Sequence, residues 1–136
     1  MVIRFSVDGT PPKKDGANSM WRKRTEVPKL KALRTAASNA MGEIPPQQQA
    51  IHLTIKIYTE AKSGDLDNFI TGICDGLQSV HPRTLINENN WLDVPTQIHP
   101  SRPIVFLDDS CVSKIVAERI PPTDGRIFYE IIVAGD

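Results

Sequence analysis

Residues 51–78 read IHLTIKIYTEAKSGDLDNFITGICDGLQ. The opening residues alternate. Ile51, Leu53, Ile55 and Ile57 fall on one face, and His52, Thr54, Lys56 and Tyr58 on the other. That is the pattern of a half-buried strand. The period then changes. Leu66, Phe69, Ile70, Ile73, Cys74, Leu77 and Val80 gather on one half of a helical wheel, and Asp67, Asn68, Thr71, Gly72 and Asp75 on the other. A strand followed by a half-buried helix that packs back on it is the unit from which the fold is built.

On the N-terminal side, residues 2–7 (VIRFSV) suggest a first strand. DGTPPKKDGANSMWRKR, residues 8–24, is a loop by its Gly, Pro and Asn content, strongly basic around Trp21. Residues 28–41 are helical formers, with Pro28 suited to the first turn and Gly42 to the end. EIPPQQQ links this helix to the strand at 51–59. On the C-terminal side, residues 81–105 carry four prolines and read as a long loop, of the kind that is functional or mobile. FLDDS follows at 106–110. Residues 111–120 and 126–133 are strand-like, and the PPTDG turn between them predicts a hairpin. The expected fold is α+β. It has two layers, a mixed and mostly antiparallel sheet, two main helices on one face, and a C-terminal β-hairpin.

A chain of 136 residues is expected to form one domain, 1–136. At 40% hydrophobic and 24% charged it is ordinary globular material, and 6% aromatic content predicts an aliphatic core. No apolar run approaches a membrane span, and MVIRFSVDGT lacks the layout of a signal peptide. Cys74 and Cys111 form no zinc pattern, and nothing demands a disulfide, so a reducing cytoplasm is expected. The net charge of zero hides a partition. Residues 1–60 hold ten basic and five acidic side chains, and residues 61–136 hold six and eleven. Either the halves neutralise each other at an interface, or a polyanion-binding face adjoins a cation site.

The aspartates carry the functional question. Asp65 suits an N-cap, Asp67 suits the helix dipole, Asp75 alone is a solvated residue, and Asp108 and Asp109 could form a turn. Two carboxylates at Asp65 and Asp67 cannot both relax onto the same capping donors. If FLDDS ends beside the start of the helix, three or four carboxylates converge and repel unless a divalent cation neutralises them. Oxygen ligands without His or Cys suit Mg2+, or Mn2+, and such an ion near a basic surface is what phosphodiester hydrolysis needs.

The pairing of GDLDNFITGICDGL (64–77) with FLDDSCV (106–112) resembles the RusA family of Holliday-junction resolvases, whose pattern is D-x-D-N, a D-A/G-L in the same helix, then D-D before a strand. The order of strand, GTPP loop, Asn-containing basic loop and helix agrees more loosely. The resemblance implies a Mg2+-dependent homodimeric endonuclease that cuts four-way DNA junctions symmetrically, in recombination and repair. The family's essential carboxylates map onto Asp65, Asp67 and Asp109, which would hold Mg2+ and position the attacking water. Asn68 and Asp75 match further family residues, and Asp108 is the less suited member of its pair. Lys13, Lys14, Arg22, Lys23 and Arg24 would contact DNA phosphates, so binding would fall with salt. Two departures stand out. Thr71 occupies the place where the family often carries a catalytic lysine, a charge that Lys62, Lys114 or Arg119 would have to replace. The segment 81–105 is also long. Its Trp91 suits an anchor to the core better than a stacking wedge against a base. Two alternatives follow: a branched-DNA-binding protein with weak or no catalysis, or a cation-binding domain without a nucleic-acid role.

Overall fold

The computed structural model describes residues 1–14 and 19–135. The strands are β1 (Val2–Asp8), β2 (Ile51–Tyr58), β3 (Val112–Ile120) and β4 (Phe128–Gly135), and the helices are α1 (Val27–Met41) and α2 (Leu66–Gly76). They form a mixed four-stranded sheet in the order β1-β4-β2-β3. β4 runs antiparallel to both β1 and β2, while β3 runs parallel to β2. Both helices pack on one face of the sheet, as expected for the α+β class. Leu33, Ala37 and Met41 from α1 and Phe69 and Ile73 from α2 share a core with Phe5, Leu53, Ile55, Tyr129 and Ile131.

The alternation in each strand explains which face is covered. Ile3, Phe5 and Val7 are buried in β1, Ile51, Leu53, Ile55 and Ile57 in β2, and Tyr129, Ile131 and Val133 in β4. α1 begins with Pro28 in its first turn, where the missing N–H costs nothing. It ends at Gly42, whose φ of 55° few other residues would adopt and whose N–H donates to the Ser38 carbonyl at 3.0 Å.

The hairpin expectation needs correction. β3 and β4 do follow one another through the 121–127 turn at the end of the chain, but they are not paired, because β2 lies between them. The reason is burial. β4 presents three fully buried residues and takes the central slot between β1 and β2, which run the same way. β3 is exposed along most of its length and takes the edge.

Residues 81–105 also differ from a structureless loop. Short 3-10 turns at Glu88–Trp91 and Thr96–Ile98 order it, and buried Trp91 packs on buried Trp21 at 5.9 Å between ring centroids. Trp91 is thus an anchor rather than an exposed wedge. Fully buried Arg34 ties this segment to the helices. Its guanidinium donates to the carbonyls of Gly76, Gln78, Ile98, His99 and Arg102 at 2.6–2.9 Å. Burial lowers its pKa to about 10, so it stays charged at neutral pH.

Candidate functional site

The sheet topology dictates where the aspartates stand. α2 starts where β2 ends and returns toward the edge of the sheet where β2 began. Because β3 is parallel to β2, it also starts at that edge, with Val112 opposite Ile51. The segment leading into β3 is held there. Ile104 and Val105 donate to the Leu77 carbonyl just past the end of α2, and Gln47 bridges Val105 and Leu107. Asp109 therefore lies at the carbonyl end of α2, whereas Asp65 and Asp67 lie at its amide end. From Asp67 to Asp75 alone the helix rises about 12 Å.

The expected convergence of Asp65, Asp67 and Asp109 is corrected accordingly. Among the described residues, no three His, Cys, Asp or Glu side chains form a group that could hold a metal ion. Asp65 occupies the N-cap position with extended backbone, yet its carboxylate accepts no capping bond. Asp67 accepts from the Asn68 N–H at 3.0 Å, and the Thr71 hydroxyl donates to the Asp67 carbonyl at 3.0 Å. Asp108 is a turn former. It caps Cys111's turn by accepting from the Ser110 hydroxyl and, at 2.8 Å, from the Ser110 N–H, and these bonds hold its carboxyl below the usual range.

What the fold does bring together is Asp75 and Asp109. Both border a cleft of about 470 Å³ between α2 and β3, lined also by Ile70, Thr71, Cys74 and Val112–Ile115. Both also border a second hollow that runs toward Lys14, Gln78 and His81. Gln78 Nε2 donates to Asp109 Oδ1 at 2.5 Å. Burial raises the Asp75 carboxyl above the usual range. Lys14 pulls it back and the Asp109 charge adds to the rise. The buried Cys74 thiol is pushed up to about 12, first by burial and then by Asp109 and Asp75.

Two carboxylates at the carbonyl end of a helix stand where the macrodipole opposes them. Capping cannot account for them, since capping favours acids at the other end. The compensating charge comes from the N-terminal loop. Pro12 and Lys13 cross α2 directly over Gly72, where a Cβ would lie 2.0 Å from the Pro12 carbonyl oxygen. Lys14 N–H donates to the Asn68 carbonyl at 3.2 Å, and its ammonium reaches Asp75 at 3.6 Å. Lys13 N–H donates to buried Glu26 at 2.9 Å, which fixes the other end of the crossing.

The remaining basic residues divide. Arg22 and Arg24 border a separate hollow with Lys31 and Asn90, and Lys23 lies between them in sequence. Asn18, the asparagine of this loop, lies outside the described residues. Of the three cations that could replace the family lysine, Lys62 pairs with Glu60 at 3.6 Å. Arg119 donates to the Ala61 and Gly64 carbonyls and covers the Phe69 ring. Lys114 borders the cleft, but its strand register places it on the open face of the sheet beside His52.

Asp75, a supporting residue on the resemblance, is thus central to the geometry. A sequence signal that could have pointed there is Gly72, since a glycine inside a helical pattern has a packing reason more often than not, and here it is the crossing of the Pro12 backbone. Among the described residues no helix is long and apolar enough to cross a membrane. No family model matches the chain, and no curated protein matches it.

Proposed function

We propose that the chain is a divalent-metal-dependent DNA endonuclease acting on four-way junctions. The observation that carries this reading is the meeting of Asp75 and Asp109 at the carbonyl end of α2, with Lys14 laid against Asp75. The arrangement is electrostatically unfavourable for the fold alone, and a hard cation would relieve it. The donor set fits Mg2+, which takes one or two protein carboxylates and completes its shell with water and substrate phosphate. Asp75 and Asp109 would hold it. Once bound, the ion would neutralise charge on the scissile phosphate and lower the pKa of a coordinated water.

The chain's own groups divide the remaining work. Gln78 orients Asp109 through its hydrogen bond. Lys14, half exposed, can exchange Asp75 for a phosphate oxygen when DNA arrives. Arg22, Lys23 and Arg24 extend the cationic surface. Asp65 and Asp67 enter the proposal from the RusA resemblance, not from proximity to Asp109. So does the homodimer. The absence of a lysine at Thr71, with Lys62 and Arg119 committed elsewhere, favours a second reading in which the protein binds branched DNA without effective cleavage.

A synthetic four-way junction separates them. The expected result is nicking that requires Mg2+, is abolished by EDTA, and falls at least about a hundredfold in Asp109→Asn and Asp75→Asn. Binding without nicking would favour the second reading. Nicking that persists undiminished in Asp109→Asn would overturn the assignment of the site.

A further inference from the structure

His81 stands on the turn that follows α2 and lines the second hollow, of about 390 Å³, together with Lys14, Asp75, Gln78, Asp108 and Asp109. The turn is tied to the core on both sides. Buried Arg34 donates to the Gln78 carbonyl at 2.8 Å and to the His99 and Arg102 carbonyls. The Val80 N–H donates to the Pro100 carbonyl at 2.7 Å, and the Thr84 N–H closes on the His81 carbonyl at 2.9 Å. Pro82 restricts the backbone of His81 to extended conformations. The imidazole is therefore mounted on an anchored segment.

The ring is oriented by the backbone beside it. Its Nδ1 accepts from the Arg83 N–H at 3.1 Å, so the neutral imidazole carries its proton on Nε2. That Nε2–H has no partner among the described residues. The other nitrogen donors of the hollow are engaged. Lys14 meets Asp75 at 3.6 Å, and Gln78 Nε2 donates to Asp109 and, at 3.2 Å, to the Cys74 carbonyl. The charged side chains around the imidazole are Lys14, Asp75, Asp108 and Asp109. A phosphate entering among them adds negative charge to a place already rich in carboxylate. It needs a donor that no carboxylate already occupies.

We propose that His81 is a catalytic residue of this site, donating a hydrogen bond from Nε2–H to the scissile phosphoryl group. The role rests on the nuclease reading. The imidazole acts as a neutral donor and keeps its proton. Water supplies the oxygen of the P–O bond that forms and releases a proton to solvent. The P–O bond to the departing strand end breaks, and the departing oxygen takes a proton from solvent. Charge that builds on the phosphoryl oxygens meets a donor already in position. A second proton on the ring would set Nδ1–H against the Arg83 N–H and break the bond that orients it.

Single-turnover nicking of a synthetic four-way junction in Mg2+, beside junction affinity in EDTA, tests it on the full-length chain, with circular dichroism melts to confirm folding. His81→Ala is expected to slow nicking about a hundredfold and leave affinity near wild type. Two further variants separate a donor from a turn former. Asparagine keeps the local bond, its side-chain oxygen accepting from the Arg83 N–H, but reaches no further. Glutamine carries an amide N–H to about the place of Nε2. His81→Gln is therefore expected to recover most of the rate, and His81→Asn none of it while melting with wild type. In the metal-free chain above neutral pH, nitrogen NMR of the histidine rings is expected to find the His81 proton on Nε2. A proton on Nδ1, undiminished nicking in His81→Ala, or recovery in His81→Asn overturns the role and leaves the nuclease reading standing. Equal loss in all three variants marks a proton-transfer role and overturns the neutral donor. A wild-type chain that binds the junction and never nicks it removes both.

Discussion

Asp75 shows what a carboxylate placed against the grain of a fold does to stability. Its pKa is raised by burial, with Asp109 adding to the rise and Lys14 opposing it. In the unfolded chain an aspartate titrates at about 3.9. Between that value and the folded one, the native state holds a proton that the unfolded state has released. Stability is therefore greatest below the unfolded pKa and is lost as pH rises through the folded one. Asp75→Asn is expected to melt above wild type at pH 7, and the two melting curves should converge in acid, below about pH 3.5. The exposed Lys14 partner given up in the variant is worth only about 0–1 kcal/mol, too little to reverse the sign. Calorimetry across pH measures both limbs. Added Mg2+ should raise the melting temperature of wild type and leave the variant unmoved. Arg34 makes the complementary point. Its sequence neighbours Lys29 and Lys31 suggest a solvated basic face, yet it is fully buried. The five carbonyls that justify burying it lie 42 to 68 positions away, where no local pattern can announce them.

The individual helices and strands were legible because each carries its own period. The alternation of Ile51, Leu53, Ile55 and Ile57 became the buried face of β2, and the Phe69, Ile73 and Leu77 stripe became the core face of α2. Their neighbours were not legible. PPTDG is a turn, but a turn does not say whether the strands it joins lie side by side, and here β2 separates them. The parallel run of β3 beside β2, which no local pattern announces, puts Asp109 at the opposite end of α2 from Asp67, so the candidate site follows strand direction. Gly72 gives the crossing of the N-terminal loop over α2 a direct test. In Gly72→Ala the new methyl would overlap the Pro12 carbonyl and the loop would have to lift. Overpacking of this kind costs about 1–3 kcal/mol, against a gain of about 0.5–1 kcal/mol from replacing glycine in a helix. The expected outcome is a net loss of about 1–2 kcal/mol in urea denaturation. Junction affinity should weaken with it, because the same displacement withdraws Lys14 from Asp75.

The partition of charge between the two halves of the chain resolves into contacts across the fold. Lys14 meets Asp75 and Lys31 meets Asp93 at 3.4 Å, each pair setting a basic residue of 1–60 against an acidic residue of 61–136. Such exposed pairs contribute little energy singly, and the halves are held instead by the sheet. There β4 is decisive: among the described residues it alone pairs with β1, and it joins β1 to β2. A nascent chain that has left the ribosome only as far as residue 120 can align β2 with β3, but β1 has no neighbour and the inner apolar surface stays wet. Folding of the sheet must wait for β4 to thread the vacant slot between β1 and β2. A chain stopped after Gly125 is expected to show no cooperative thermal transition and rapid cleavage by trypsin. A synthetic peptide spanning residues 126–135, supplied in trans, should restore both the transition and the resistance, as a missing keystone restores an arch.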